Sequence, residues 1–198
     1  MKIIFLDIDG VLNCEEAYRS GQCEYVEWVW EDGRKDHYQR FCSWSKELLN
    51  RLIKETGAKI VISSTWRLSG IEFMRKVWEM EKMEGDIIGI TPSMRTESIR
   101  IPRGMEIDYF LDNGLGFKHI NWDEKIQREY MDKSDVENYI ILDDDSDMLY
   151  KQRNHFVHVL PSPRNTAGFN EHYYQKAKLM LDKDIIELNY PKVLDNKE

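Results

Sequence analysis

Cysteine is scarce in this sequence: Cys14, Cys23 and Cys42 are the three in 198 residues. An odd, small number does not make a disulfide framework, and a chain of this length can bury a core without one. Their spacing also lacks the compact pairs of a structural zinc site. Long hydrophobic runs are missing too, since none approaches the roughly 18 apolar residues that a membrane span needs. Positive charge is in deficit, with 28 Lys and Arg against 36 Asp and Glu and a formal net charge of -8. That balance argues against extended binding along duplex nucleic acid, while leaving room for a local basic pocket for one phosphate. No internal repeat is present. The opening MKIIFLDIDG starts like a secretory leader, but Asp7 and Asp9 interrupt its apolar run and no small-residue cleavage pattern follows. A reducing, cytoplasmic setting is the expectation.

What is there reads as one globular domain over 1–198, with 41% hydrophobic and 32% charged residues. Lys2–Leu6 is a short apolar run, rich in Ile and Phe, that stops at acidic residues and a glycine, as a buried strand does. Residues 58–62 form a second such run leading into Ser63, Ser64 and Thr65. Residues 138–142 form a third, running into Asp143, Asp144 and Asp145. Further strands are expected at 155–160, before Pro161 and Pro163, and at 86–90. Between the first two runs, Leu48, Leu49, Leu52 and Ile53 mark one face of a helix over 44–55, with Gly57 at its end. Helices are also expected over 70–83, 105–111, 146–152 and 170–181.

Strands alternating with helices predict an α/β fold, with a mostly parallel sheet covered on both faces. In that architecture ligands gather at the carboxyl ends of strands, where the Asp and Ser clusters fall. Residues 14–43 fit the core pattern poorly, and Asp32-Gly33 is a hairpin-turn signal, so a small inserted flap is expected there. Residues 85–103 read as a loop-rich insertion whose later part holds Arg95, Arg100 and Arg103.

Asp7 and Asp9 stand just past the first strand, where a turn at Gly10 can bring a side chain and a neighbouring carbonyl to one ion. Magnesium takes oxygen ligands in an octahedral array and keeps several waters, so carboxylates from separate loops suffice. One Asp can then attack phosphorus while the other donates a proton to the leaving oxygen.

The run FLDIDGVLN, followed by ISSTWR and then IILDDDSD, resembles the haloacid dehalogenase superfamily of aspartyl-phosphate phosphatases. ISSTWR, Arg103-Gly104-x-Glu106-Ile107 and ILDDDSD are similar to small phosphatase-like domains of that superfamily associated with nucleic-acid repair proteins. The resemblance implies a three-layer α/β/α Rossmann-like fold and a Mg2+-dependent phosphatase. It implies that Asp7 is the nucleophile, and that Asp9 is the general acid and base with its carbonyl on the metal. Ser63 would hold phosphoryl oxygens, with Ser64 its rival if the register shifts by one. Asp144 would be the main later metal ligand, supported by or exchanging roles with Asp143. The family's third motif is usually a Lys; here Arg103 is the choice, with Arg67 a separate candidate for substrate phosphate contact.

Blander readings stand beside these. Arg67 suits a salt bridge as well as a phosphate contact, and Trp66 suits packing on the sheet as well as stacking on a base. Trp28 and Trp30 either cap the site or tie down the flap. Asp145 and Asp147 suit helix-start positions better than metal ligation. His119 and His158 have no nameable partner. The absence of a large cap ranks a nucleotide or a nucleic-acid end first as the phosphomonoester. A sugar-phosphate phosphatase and a catalytically weak phosphate-binding domain are the alternatives.

Overall fold

A computed structural model of the chain describes residues 1–94, 101–113, 136–161 and 163–182. Arg95, Arg100, His119 and the tail after 182 lie outside these. The described residues form a parallel sheet built from β1 (Lys2–Leu6), β4 (Lys59–Ile62), β5 (Ile87–Ile90), β6 (Asn138–Asp143) and β7 (Phe156–His158). The strand order is β5-β4-β1-β6-β7. A separate antiparallel hairpin pairs β2 (Tyr25–Val29) with β3 (Lys35–Gln39).

β1 lies at the centre, its Leu6 level with Ile62 of β4 on one side and Leu142 of β6 on the other. The chain leaves β1 for β4 on one flank and later returns to β6 on the other. Their carboxyl ends therefore open a crevice at the point where the winding reverses.

Period-two alternation distributes the side chains of β1 between two helical layers. Ile4 and Leu6 pack with Leu49 and Leu52 of α2 (Ser43–Thr56), Met74 and Val77 of α3 (Ile71–Met80), and Tyr174 and Ala177 of α5 (Glu171–Asp182). Ile3 and Phe5 point the other way, onto Ile107 and Phe110 of α4 (Arg103–Asn113). The Phe5 and Phe110 rings meet edge to face at 5.5 Å. Each such fully buried Ile, Leu or Phe contributes roughly 1.5–3 kcal/mol relative to exposure. The expected α/β/α layering is thus present, and α2 ends as its sequence indicates. Gly57 takes a left-handed φ of 66° and its N–H donates to the Ile53 carbonyl at 2.8 Å.

One local expectation fails. Residues 146–152 make no α-helix; a short 3-10 turn, Tyr150–Gln152, is the only helical part. Side chains there take the backbone's hydrogen bonds elsewhere. Asp147 accepts from the Arg103 N–H at 3.0 Å, and Gln152 accepts from the Leu149 N–H and donates to the Gly104 carbonyl. This loop is bound to the start of α4 instead of coiling on itself. Conversely, α1 (Glu15–Arg19) and a 3-10 turn at Thr65–Ser69 are present where the sequence reading had neither.

Candidate active site

Asp7 follows β1 directly, and its N–H still donates to the Leu142 carbonyl at 2.9 Å, extending the ladder one residue beyond the strand. That bond holds the nearly buried carboxyl in place. Asp143 ends β6 beside it and is fully buried; Asp144 comes next. One carboxylate oxygen from each of Asp7, Asp143 and Asp144 lies within 4.8 Å of the others. Gly10, at φ 77°, is why Asp144 can come so close, because a Cβ there would collide with the Asp144 carboxylate. The Asp144 carbonyl meets His158 Nε2 at 3.0 Å, which gives His158 a bracing role in β7.

Arg103 heads α4 and pairs through Nη1 with Asp7 Oδ1 at 2.9 Å and Asp143 Oδ2 at 3.2 Å. Burial works against its charge, but Asp7, Asp143 and Asp147 outweigh burial and hold the guanidinium above its ordinary pKa. One cation does not balance three acids. Burial first, then the Asp7 charge, pushes Asp143 up to about 8 against the pull of Arg103. Burial and the charges of Asp7 and Asp145 push Asp144 up to about 6. An all-oxygen trio that is short of positive charge fits a hard divalent cation such as Mg2+.

Asp9 is not part of that trio. Its Oδ2 accepts from the Trp66 indole N–H at 3.0 Å and its Oδ1 from the Asn13 amide at 3.5 Å. Burial, and after it the Asp7 charge, raises the Asp9 pKa in spite of these two donors. Trp66 is fixed for this contact by Phe41 and Phe73, whose rings lie 6.0 and 6.4 Å away. Trp66 therefore both packs against neighbours and aims a donor at Asp9, a role the sequence reading did not foresee.

Ser63 sits one step past the Leu6–Ile62 pair, its N–H donating to the Leu6 carbonyl at 2.9 Å. Its hydroxyl is buried and finds no hydrogen-bond partner among the described residues. Ser64 differs, because its hydroxyl accepts from the Trp66 N–H at 3.4 Å and caps the 3-10 turn.

Arg67 is committed elsewhere. Its buried guanidinium donates to the carbonyls of Ser63 at 2.6 Å and Ser64 at 2.9 Å and pairs with Glu106 at 2.5 Å. Burial draws its pKa down and raises that of Glu106, which also accepts from the Met94 N–H at 2.9 Å. The pair ties the carboxyl end of β4 to α4. Only the spacing Arg103-Gly104-x-Glu106 hinted at Glu106. Gly104 is needed in it because a Cβ there would come within 2.5 Å of the Leu149 nitrogen.

On the Asp9 side lies a cleft of about 330 Å³ bounded by the hairpin, the Thr65–Ser69 turn and Phe73 of α3. Trp66, Tyr25, His37 and Phe73 contribute to its walls, and Asp9 stands in its lining. Trp28 anchors the hairpin, its ring 5.4 Å from Phe73 and 5.9 Å from Tyr38. Trp30 points its N–H at Asp36 instead, at 2.6 Å. At the foot of the hairpin Cys14 and Cys42 are buried free thiols packed in one small cluster with Cys23 alongside. Among the described residues no helix is long and apolar enough to cross a membrane.

Neither curated proteins nor solved structures yield a match to this chain. Residues 3–171 match the family model described as the HAD domain in Swiss Army Knife RNA repair proteins. With that span and this fold, the chain belongs to that family of HAD domains. Its buried Asp7 and Asp143 and half-buried Asp144 supply the acidic cluster of a candidate hydrolase with a metal site.

Proposed function

We propose that this HAD domain hydrolyses phosphomonoesters in a Mg2+-dependent reaction through a phosphorylated Asp7, acting on nucleotides or nucleic-acid ends. The observation that carries this reading is the buried Asp7 carboxylate, 2.9 Å from the half-buried Arg103 guanidinium and clustered with the two acids of β6's end. Asp7 supplies an oxygen to phosphorus as the ester P–O bond breaks. Asp9, with its raised pKa, gives its proton to the departing alkoxide. Deprotonated Asp9 then takes a proton from water; the water oxygen bonds to phosphorus and Asp7 leaves as a carboxylate. Arg103 and the Ser63 hydroxyl would hold phosphoryl oxygens through both steps in this reading. A cation held by Asp7, Asp143, Asp144 and the Asp9 carbonyl would offset the repulsion between carboxylate and phosphate. Arg67 positions this machinery through Ser63 and α4 in this reading, leaving phosphate contact to Arg103.

The substrate class rests on the family's association with RNA repair and, among the described residues, on a small flap made of α1 and a hairpin of five-residue strands. The test is phosphate release with Mg2+ from nucleoside monophosphates, phosphorylated oligonucleotides and sugar phosphates. Asp7→Asn is expected to lower kcat by about 10⁴-fold or more, as loss of a nucleophile does. Turnover that survives Asp7→Asn, or no hydrolysis of any of these esters by the native chain, overturns the proposal.

A further inference from the structure

The leaving group must lie where Asp9 can protonate it, so whatever follows the ester oxygen extends into the cleft that Asp9 lines. Two properties of that cleft select its occupant. Five of its nine lining residues carry rings, namely Tyr25, His37, Tyr38, Trp66 and Phe73. No Lys or Arg is among the nine. Ring-bearing walls suit a base, and among the described residues no Lys or Arg lines the cleft to pair with a second phosphate. Its size, about 330 Å³, lies at the small end of ligand pockets, which span roughly 300–1,000 Å³. That is room for one nucleoside, not for a stretch of strand.

The hairpin explains how the rings are presented. Val26 lies opposite Tyr38, and Trp28 opposite Asp36, on the face whose Trp28 ring packs on Phe73. Alternation therefore turns Tyr25, paired with Gln39, and His37, paired with Glu27, to the other face. The Tyr25 and His37 rings lie 5.9 Å apart there, and Tyr25 is 69% exposed. An exposed tyrosine that lines the cleft from a strand anchored through Trp28 is available to stack on a ligand.

We infer that this cleft binds the single nucleoside that carries the scissile phosphate, with Tyr25 and His37 as the stacking wall that selects base-bearing esters over sugar phosphates. The inference rests on the phosphatase reading for its orientation, but it makes a separate claim about binding. Loss of one base-aromatic stack, about 1–3 kcal/mol, corresponds to roughly 5- to 150-fold in KM. Native full-length protein should therefore show a KM for adenosine monophosphates about 10-fold or more below that for ribose 5-phosphate. Tyr25→Ala and His37→Ala should collapse that preference, while Tyr25→Phe restores it. A phosphorylated oligonucleotide should show a KM close to that of its matched terminal mononucleotide.

Binding is measured in parallel by titrating adenosine monophosphate, with Mg2+, into Asp7→Asn protein and reading tryptophan fluorescence. Adding Tyr25→Ala should weaken this binding by about 10-fold. Hydrolysis without nucleotide preference, or a preference untouched by Tyr25→Ala and His37→Ala, overturns the cleft assignment and leaves the phosphatase standing. Tyr25-dependent nucleotide binding without any hydrolysis supports the cleft and overturns the chemistry. Neither binding nor hydrolysis overturns both.

Discussion

Around Asp7 buried backbone holds the site in place, whereas above Asp9 the hairpin offers its rings on strands exposed to solvent. Asp7, Ser63 and Asp143 each continue or end a central strand, and all three are buried. Tyr25 and His37 belong to a two-stranded ribbon that depends on Trp28, Tyr38 and α3 for support. Such a ribbon has little stability of its own. The first region cannot shift without breaking the sheet, so it suits chemistry that needs fixed distances. The second can change its surface at small cost to the fold, so it suits the choice of substrate. The two regions meet at Asp9 and Trp66.

The sharpest way to break the first region is Gly10→Ala. The added methyl would meet the Asp144 carboxylate at a backbone φ of 77°, so both the strain and the collision fall on the metal cradle. Activity and Mg2+ affinity are expected to drop together by on the order of 10²-fold, the scale of an ångström's misplacement in an active site. Isothermal titration with Mg2+ beside phosphatase assays checks this. Native-like Mg2+ binding in Gly10→Ala would remove Asp144 from the cradle.

On stability the largest effect is Glu106→Gln, which leaves the Arg67 guanidinium buried without its countercharge. Losing one partner of a buried pair costs about 3–5 kcal/mol, and the retained bonds to the Ser63 and Ser64 carbonyls favour the lower figure here. Urea unfolding should show that loss as a lower midpoint with an unchanged slope. A midpoint unmoved by Glu106→Gln would mean that the pair does not brace β4 against α4.

Much of this region was legible in the sequence, for a physical reason. A buried strand must be apolar and short, and the polar residues that end it are conspicuous, so Asp7, Ser63, Asp143 and Asp144 announced themselves. Arg103 was legible by its place before a helix. What stayed hidden depends on contacts between distant residues. Arg67 and Glu106 are 39 positions apart and Asp9 and Trp66 are 57 apart, and no local pattern marks either pair. The failed helix at 146–152 has the same origin, since Asp147 and Gln152 bond across to α4. The hairpin's turn could be read from Asp32-Gly33, but which of its rings line the cleft depends on how the hairpin packs on Phe73.

The third effect is electrostatic and separates the regions by pH. In the folded, metal-free chain the Asp144 and Asp143 pKa values sit at about 6 and about 8, above the ordinary 3.8. Folding therefore favours their protonated forms. The stability this contributes is complete below the ordinary value and is lost as pH rises through about 6 and then about 8. In chelator, melting should occur a few degrees higher at about pH 5 than at about pH 8.5, and Mg2+ at the higher pH should close the gap. Substitutions in the hairpin should leave this response alone. A chelated protein that grows more stable across that range, or ignores Mg2+, would place the strain outside the acidic trio.

The smallest effect sharpens the comparison, because it repeats the first substitution in the other region. Gly33 has a φ of 84°, close to that of Gly10, yet a Cβ there meets nothing within 4 Å. Gly33→Ala thus imposes left-handed strain without a collision, costing roughly 1–2 kcal/mol at most. The cost falls on the turn between β2 and β3, where Asp32 and Arg34 also pair at 2.7 Å. Loosening that turn should blur the positions of Tyr25 and His37, raising the KM for nucleotides modestly while Mg2+ affinity stays as it was. The two alanine variants, matched in backbone strain, then divide the site: Gly10→Ala removes the metal and the chemistry, and Gly33→Ala touches selection alone. If Gly33→Ala instead lowered Mg2+ affinity as Gly10→Ala does, the hairpin would have to be counted as part of the catalytic floor.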